Sequence, residues 1–426
     1  MADISINLKG IKSPNPFWIA SGPASNTKHQ AINAFEAGWG GVVWKTIGNP
    51  VKNVNSLYGA INSGNQKIVG LNNLELISDR GVSENLREIK EVKKLFPNNA
   101  IIASVMVETR EEWRTIVKRC EDAGADGLEL NFGCPHGMCE RGMGSAVGQE
   151  PKVLEELLQW VTEISNIPVL AKLTPNITDI IEPGMAAQRG NADGVSLINT
   201  IKSIVGVDLD DFIPFPKGRD ASSNGGYCGP AVKPIALHMV GALSKNPKFN
   251  LEISGIGGVS NWRDAAEFIA LGCTSVQVCT AAMHYGYRIV EDMKTGLNNY
   301  LNSKGFASVN ELRGKAVEKY MDWGNLDINY KSIAVIHEDK CIGCQLCYIA
   351  CEDGSHQAIS IESSNGNRVP KILEENCIGC NLCSLVCPVD GCITMEDKNT
   401  NSEFDSWNKM IAENRFNPTD TVIPKN

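Results

Sequence analysis

The chain has 426 residues, 42% hydrophobic and 21% charged, with a formal net charge of −9, a globular composition with room for one large core and a smaller second domain. This acidic balance lacks the basic surface that binding to a phosphate backbone demands, which argues against nucleic acid as a partner. No apolar run reaches the roughly 18 to 20 residues that span a bilayer, and the opening MADISINLKG has no apolar signal core, so a cytoplasmic protein without a membrane partner is expected.

Eight short apolar runs rich in β-formers follow in order: NPFWIAS, GGVVWKT, AIIASVM, GLELNFG, PVLAKLT, GVSLINT, LEISGIGG and SVQVCTA. Stretches of helical period separate most of them, as in TREEWRTIVKRCEDAGA and EPKVLEELLQWVTEISN. Strands apolar on both faces, alternating with amphipathic helices, predict an α/β fold, a (β/α)8 TIM barrel over residues 1–302. An open Rossmann-like sheet would want GxGxxG after an early strand, and NPFWIAS is followed instead by GPASN. Residues 303–339 lose the alternation and read as a connector. Residues 340–396 form a compact cysteine module, a small α+β domain organised by metal centres. The remaining 397–426 read as a polar tail, apart from Trp407, Met410, Ile411 and Phe416, either loosely ordered or packed on a neighbour.

Of fifteen cysteines, eight fall between Cys341 and Cys387 in a regular rhythm. Cys341, Cys344, Cys347 and Cys351 follow C-x2-C-x2-C-x3-C, and Cys377, Cys380, Cys383 and Cys387 repeat it. In this bacterial ferredoxin pattern three thiolates of one loop hold one cubane and the fourth crosses to the other. One 4Fe–4S cluster is therefore assigned to Cys341, Cys344, Cys347 and Cys387, the other to Cys377, Cys380, Cys383 and Cys351. Tetrahedral zinc, the alternative, has no use for a third evenly spaced cysteine in each loop. Glu352 stands where proline is usual, which should alter the local turn, and Cys392 reads as a spare. The other cysteines read mostly as small core residues.

Polar residues gather where strands end, the face on which barrels do chemistry: Lys45, Asn131, Lys172, Asn199 and Thr200. A lysine held inside an apolar barrel needs negative charge, which reduced flavin and its phosphate supply. SGIGGV, with Gly258, and CTAAM, with Thr280, follow strands seven and eight, where barrels bind phosphate. Together these suggest flavin mononucleotide (FMN). Cys134, His136 and Cys139 could be zinc ligands but lack a nearby fourth, and a cytosolic disulfide is disfavoured. The remaining reading is a glycine-rich lid whose Cys134 thiol, with an ordinary pKa of about 8.5, donates a proton to carbon as hydride arrives from flavin.

LNNLELIS, LELNFGCPHGMCERGMGSAVGQ, AKLTPN, INT, KPIAL and SGIGGV, followed by the two-cluster module, resemble the flavin and iron–sulfur subunit of bacterial NAD-dependent dihydropyrimidine dehydrogenases. The resemblance spans nearly all of residues 1–396. It implies reversible reduction of uracil or thymine to the 5,6-dihydro forms. Asn73, Asn131, Asn199 and Thr200 would then bind the pyrimidine, while Ser21, Lys45, Glu75, Lys172, Gly226, Gly258 and Thr280 contact or support FMN. For Asn73 and Glu75 a helix-start cap before LELIS is an alternative. Gly133 departs from the serine expected before the cysteine, which touches lid stiffness, and Cys139 stands where a less reactive residue is expected. No nicotinamide fingerprint is present. The resemblance implies a second subunit carrying FAD and the NAD(P)H site, in a hetero-oligomer expected to be a heterotetramer. A dihydroorotate dehydrogenase and a noncatalytic iron–sulfur electron carrier are the competing readings.

Overall fold

A computed structural model describes residues 1–364 and 367–415. The chain divides into two compact units, Met1–Tyr320 and Met321–Asn426. The first holds a closed barrel of eight parallel strands: β1 (Phe17–Ile19), β2 (Gly41–Ile47), β3 (Ala100–Val105), β4 (Gly127–Asn131), β5 (Val169–Lys172), β6 (Gly194–Leu197), β7 (Glu252–Ile256) and β8 (Ser275–Val278). Each coincides with one of the eight runs read from the sequence. Neighbours follow chain order, and β8 closes on β1 through Val276↔Phe17 and Val278↔Ile19.

Eight helices alternate with these strands: α1 (Lys28–Ala37), α2 (Val82–Leu95), α3 (Arg110–Asp122), α4 (Pro151–Thr162), α5 (Ile181–Arg189), α6 (Lys233–Lys245), α7 (Trp262–Ala270) and α8 (Ile289–Ser303). Helix α3 shows why they form. Thr109 accepts from the Glu112 amide, and Glu112 returns the bond to the Thr109 amide, a reciprocal cap worth about 1 kcal/mol. Trp113, Ile116, Val117 and Cys120 then face the core at helical spacing. Trp113 packs on Phe132, ring centroids 6.4 Å apart, and so braces the chain just before Cys134.

The sequence reading did not anticipate a four-stranded antiparallel sheet over the barrel mouth. Its strands, Ile201–Ser203, Gly225–Cys228, Gln66–Asn73 and Tyr58–Ser63 in that order, come from the loops after β2 and β6. Those loops leave the carboxyl ends of their strands, so the sheet covers the face on which barrels carry out chemistry. Asn73 ends a strand of this sheet, and α2 begins only at Val82 with Gly81 before it. The helix-cap reading of Asn73 and Glu75 is thereby corrected.

Residues 303–339, read as a connector, are shared between the units. Val309 and Leu312 are buried in the barrel's core, whereas Ser332–Ile336 is a strand of the second unit, paired antiparallel with Ile393–Asp397. The second unit adds a hairpin of Ile359–Ser364 and Asn367–Ile372 and helices Leu346–Gly354 and Leu382–Leu385. The helix through Cys351 runs nine residues, and its counterpart before Cys387 runs four. Pro388 disfavours helix in the residue before it and cannot donate to a helical bond, whereas Glu352 lets the first helix continue. The described tail packs within its own unit: Trp407 lies against Trp323 at 6.2 Å, Ile328 donates to the Asp405 carbonyl at 2.9 Å, and Arg415 pairs with Asp405 at 2.6 Å. Residues 416–426 of the expected tail, Phe416 included, lie outside the described residues. Among the described residues no helix is long and apolar enough to cross a membrane.

Candidate active site

A cleft lies at the carboxyl ends of the barrel strands and encloses about 1120 Å³ when its open mouth is counted. It brings together Ser21, Lys45, Asn73, Glu75, Asn131, Cys134, Lys172, Asn199, Thr200, Gly258 and Thr280. Gly226 stands behind this lining. It pairs with Asn73 in the sheet, accepts a 2.9 Å bond from Asn73 Nδ2, and leaves room for Thr200, which a Cβ there would strike.

Strand β2 slips register against β3 between Trp44 and Ile47. Such a bulge re-aims side chains, and here both Lys45 and Thr46 reach the cleft, against the alternation of a regular strand. Thr46 becomes a hub, bonded to Asn131 Nδ2 at 2.9 Å, Ser104 Oγ at 3.0 Å and Ser21 Oγ at 3.2 Å. Asn131 Oδ1 in turn accepts from Asn199 Nδ2 at 2.9 Å, and Asn199 Oδ1 from the Thr200 amide at 2.9 Å. Asn131 and Asn199 are thus orientated by one chain of hydrogen bonds, and Asn73 is held separately by the Gly226 carbonyl.

Both lysines meet negative charge from the chain itself, so the negative charge expected from flavin and its phosphate is not needed to explain their burial. Lys45 pairs with Glu75, which also accepts from Tyr58 Oη at 2.8 Å. Lys172 Nζ lies 3.2 Å from Glu129 Oε1 without hydrogen-bond alignment, and Glu129 Oε2 accepts from Gln277 Nε2 at 2.9 Å. Glu129 and Gln277 escaped the sequence reading. The available signal was one polar residue in the middle of an apolar strand, in LELN and in SVQVC.

The Cys134 segment is packed rather than loose. Cys134, Met138 and Met143 form a small core with Ile77 and Met106. Cys134 Sγ donates to the His136 carbonyl at 3.4 Å, and Cys139 Sγ to that of Pro135 at 3.2 Å. Burial pushes the Cys134 thiol up to about 11, against the opposing pull of the His136 backbone, so it is protonated at neutral pH. Burial lowers the pKa of His136, whose ring nitrogens both lack a hydrogen-bond partner. Among the described residues no three Cys, His, Asp or Glu side chains converge closely enough for one metal ion. Gly133 has a spatial reason: a Cβ there would come 2.8 Å from Asn199 Cγ, so the missing serine bears on the placement of Asn199.

The lining fits a flavin. Gly257 and Gly258 line the cleft at φ of 123° and 76°, a conformation that side chains rarely adopt, so the backbone is left bare there, as a phosphate site requires. Gln277 Oε1 is buried without a partner, and the two ammonium groups give the floor the donors an electron-rich ring edge needs.

In the second unit one small cavity is lined by Cys341, Cys344, Cys347 and Cys387, and another by Cys377, Cys380, Cys383 and Cys351. Three cysteines of each run thus meet the fourth of the other. A single zinc ion draws its ligands to one point, whereas a cubane keeps its thiolates apart, and this lining suits the cubane. Cys392, read as a spare, is buried in the wall of the first cavity. Cysteines make up half of this unit's buried cluster, which is why so small a core depends on its metal.

Residues 3–301 match the family described as dihydroorotate dehydrogenase, and residues 334–395 match the 4Fe-4S dicluster domain. The chain is 44% identical over 395 residues, 92% of its length and 95% of the relative's, to the NAD-dependent dihydropyrimidine dehydrogenase subunit PreA of Escherichia coli (strain K12). It is 40% identical over 331 residues, 75% of its length and 78% of the relative's, to the chloroplastic dihydropyrimidine dehydrogenase (NADP(+)) of Arabidopsis thaliana. It is 36% identical over 322 residues, 74% of its length and 98% of the relative's, to the catalytic subunit of dihydroorotate dehydrogenase B (NAD(+)) of Pyrococcus horikoshii. The chain belongs to the flavin-type dihydroorotate dehydrogenase family of oxidoreductases, and within it to the dihydropyrimidine dehydrogenase subunits in which the barrel is joined to a 4Fe–4S dicluster domain.

Proposed function

We propose that the chain reversibly reduces the 5,6 double bond of uracil or thymine, with FMN in the barrel cleft and electrons arriving through two 4Fe–4S clusters from a partner subunit that carries FAD and oxidises NAD(P)H. The observation that carries this reading is the convergence of a buried, protonated thiol, a bonded set of asparagines and two lysines in one cleft, in a chain that also carries eight cysteines in ferredoxin spacing. Ser21, Lys45, Glu75, Lys172, Gly226, Gly258 and Thr280 hold or support the FMN, which when bound supplies hydride to the C6 position of the ring. Asn73, Asn131, Asn199 and Thr200 hold the pyrimidine, because an amide offers a donor and an acceptor to its alternating N–H and carbonyl edge. Cys134 gives its thiol proton to C5, and the thiolate takes it back in the reverse direction.

The charge of the cleft favours a neutral pyrimidine over orotate. Among its described lining residues the lysines are Lys45 and Lys172, each already beside a carboxylate, so a substrate carboxylate gains no uncompensated lysine. A chain purified with its flavin is expected to release FMN on denaturation, and uracil is expected to perturb the bound flavin's absorbance where orotate at equal concentration does not. Release of no flavin would favour the electron-carrier reading.

The raised thiol sets a pH dependence. Pyrimidine reduction needs the protonated form and is expected to stay level, as far as Cys134 is concerned, from pH 7 to about pH 10, falling only as the pH passes about 11. Oxidation of the dihydro form needs the thiolate, whose fraction below the pKa rises roughly tenfold per pH unit. A reverse rate that reaches its plateau by pH 8 would show that burial does not hold the thiol as described.

A further inference from the structure

Beneath the asparagines lies a polar layer that the reaction as described does not use. Glu129 and Asn131 point the same way from β4, two residues apart, which sets Glu129 roughly 7 Å further from the mouth. Its side chain has 0% exposure, and Gln277, Ser196 and Ser254 around it are buried as well. Gln277 Nε2 bridges Glu129 Oε2 at 2.9 Å, Ser254 Oγ at 3.1 Å and Ser196 Oγ at 3.3 Å. Barrel interiors are ordinarily filled by layers of branched apolar side chains, and the residue paired with Glu129 on β5 is Leu170.

A buried carboxylate is expensive, and a well-packed apolar residue would serve stability as well as the pair it makes. Its Oε1, with no aligned hydrogen bond, faces the Lys172 ammonium at 3.2 Å. Lys172 and Gln277 both line the cleft, so Glu129 touches two groups at the cleft floor while lying beneath it.

We propose that Glu129 is a positioning residue for the reaction: it holds Lys172 and Gln277 at the cleft floor, balances the lysine's charge, and thereby keeps the bound flavin a strong reductant. This rests on the reading of the cleft as the flavin site. A full positive charge beside the flavin stabilises the negative charge gained on reduction and so weakens the reduced form as a donor. A balanced pair orientates the ammonium without that penalty.

The test is the midpoint potential of the flavin in the full-length Glu129→Gln chain, with uracil-dependent reoxidation of the reduced chain measured alongside. The expected result is a potential raised by about 30 mV, a tenfold change in the ratio of reduced to oxidised flavin for a two-electron couple. Reoxidation by saturating uracil should slow about tenfold with the KM for uracil unchanged. Glu129→Asp, which keeps the charge, should restore most of the potential, and Lys172→Met should shift it the opposite way. An unchanged potential in a flavin-loaded Glu129→Gln chain overturns the proposal, as does an equal shift in Glu129→Asp. If Glu129→Gln does not fold, a Lys172→Met chain whose potential fails to fall overturns it. A folded, unaltered chain that binds no flavin overturns the reading of the cleft itself, a distinct result.

Discussion

Replacing Cys134 by alanine is expected to lower pyrimidine turnover by roughly 10²–10⁴-fold, the range typical for a lost general acid, while flavin and iron content stay at their unaltered values. The thiol lines the cleft, is nine-tenths buried and stays protonated at neutral pH, which suits it to protonate ring carbon. Its structural share is small, since its hydrogen bond to the His136 carbonyl is 3.4 Å long and alanine keeps the Cβ packed against Met138 and Met143. Cys134→Ser, a much weaker acid in the same place, should fall between the two. Cys139→Ala is the control: Cys139 does not itself line the cleft and its thiol is bonded to the Pro135 carbonyl, so turnover should change less than twofold. Full activity in the Cys134→Ala chain, measured as uracil-dependent reoxidation of the reduced protein, would remove the acid from the mechanism.

The second large effect concerns the crossed cysteines. Cys387 belongs by sequence to the second run and by position to the cavity of Cys341, Cys344 and Cys347. Cys387→Ala is therefore expected to damage the first cluster and spare the second, cutting turnover with NAD(P)H and the partner subunit by at least about 10²-fold. Chemically reduced chain should still reduce uracil, because the barrel is a separate compact unit. Iron content and electron paramagnetic resonance of the reduced chain distinguish the two clusters. Loss of the second cluster with the first intact would reverse the cysteine assignment.

Some of this was legible in the residues and some was not, for physical reasons. The eight barrel strands announced themselves because burial on both faces demands continuous apolar runs such as GGVVWKT. The crossed cysteine sets were legible because the spacing of three thiolates on a loop is itself the constraint. The sheet over the mouth was hidden: Tyr58–Ser63 is mostly exposed, so it lacks alternation, and its neighbour Gln66–Asn73 pairs with residues about 150 positions away, a contact no local pattern carries. The bulge that aims both Lys45 and Thr46 at the cleft depends on the register of β2 against β3. The partners of the lysines were missed for the same reason: Glu75 and Glu129 reach them through the fold, and a lone polar residue in a strand does not say which neighbour it faces.

In the proposed mechanism one chain holds both the flavin and the pyrimidine site. It is tested most directly by reducing the purified chain under anaerobic conditions, removing the reductant, and following flavin absorbance on addition of uracil or orotate. Rapid reoxidation by uracil, with orotate inert, is the predicted result. Reoxidation by orotate alone, or bleaching confined to the iron–sulfur absorbance with no flavin signal, would contradict it.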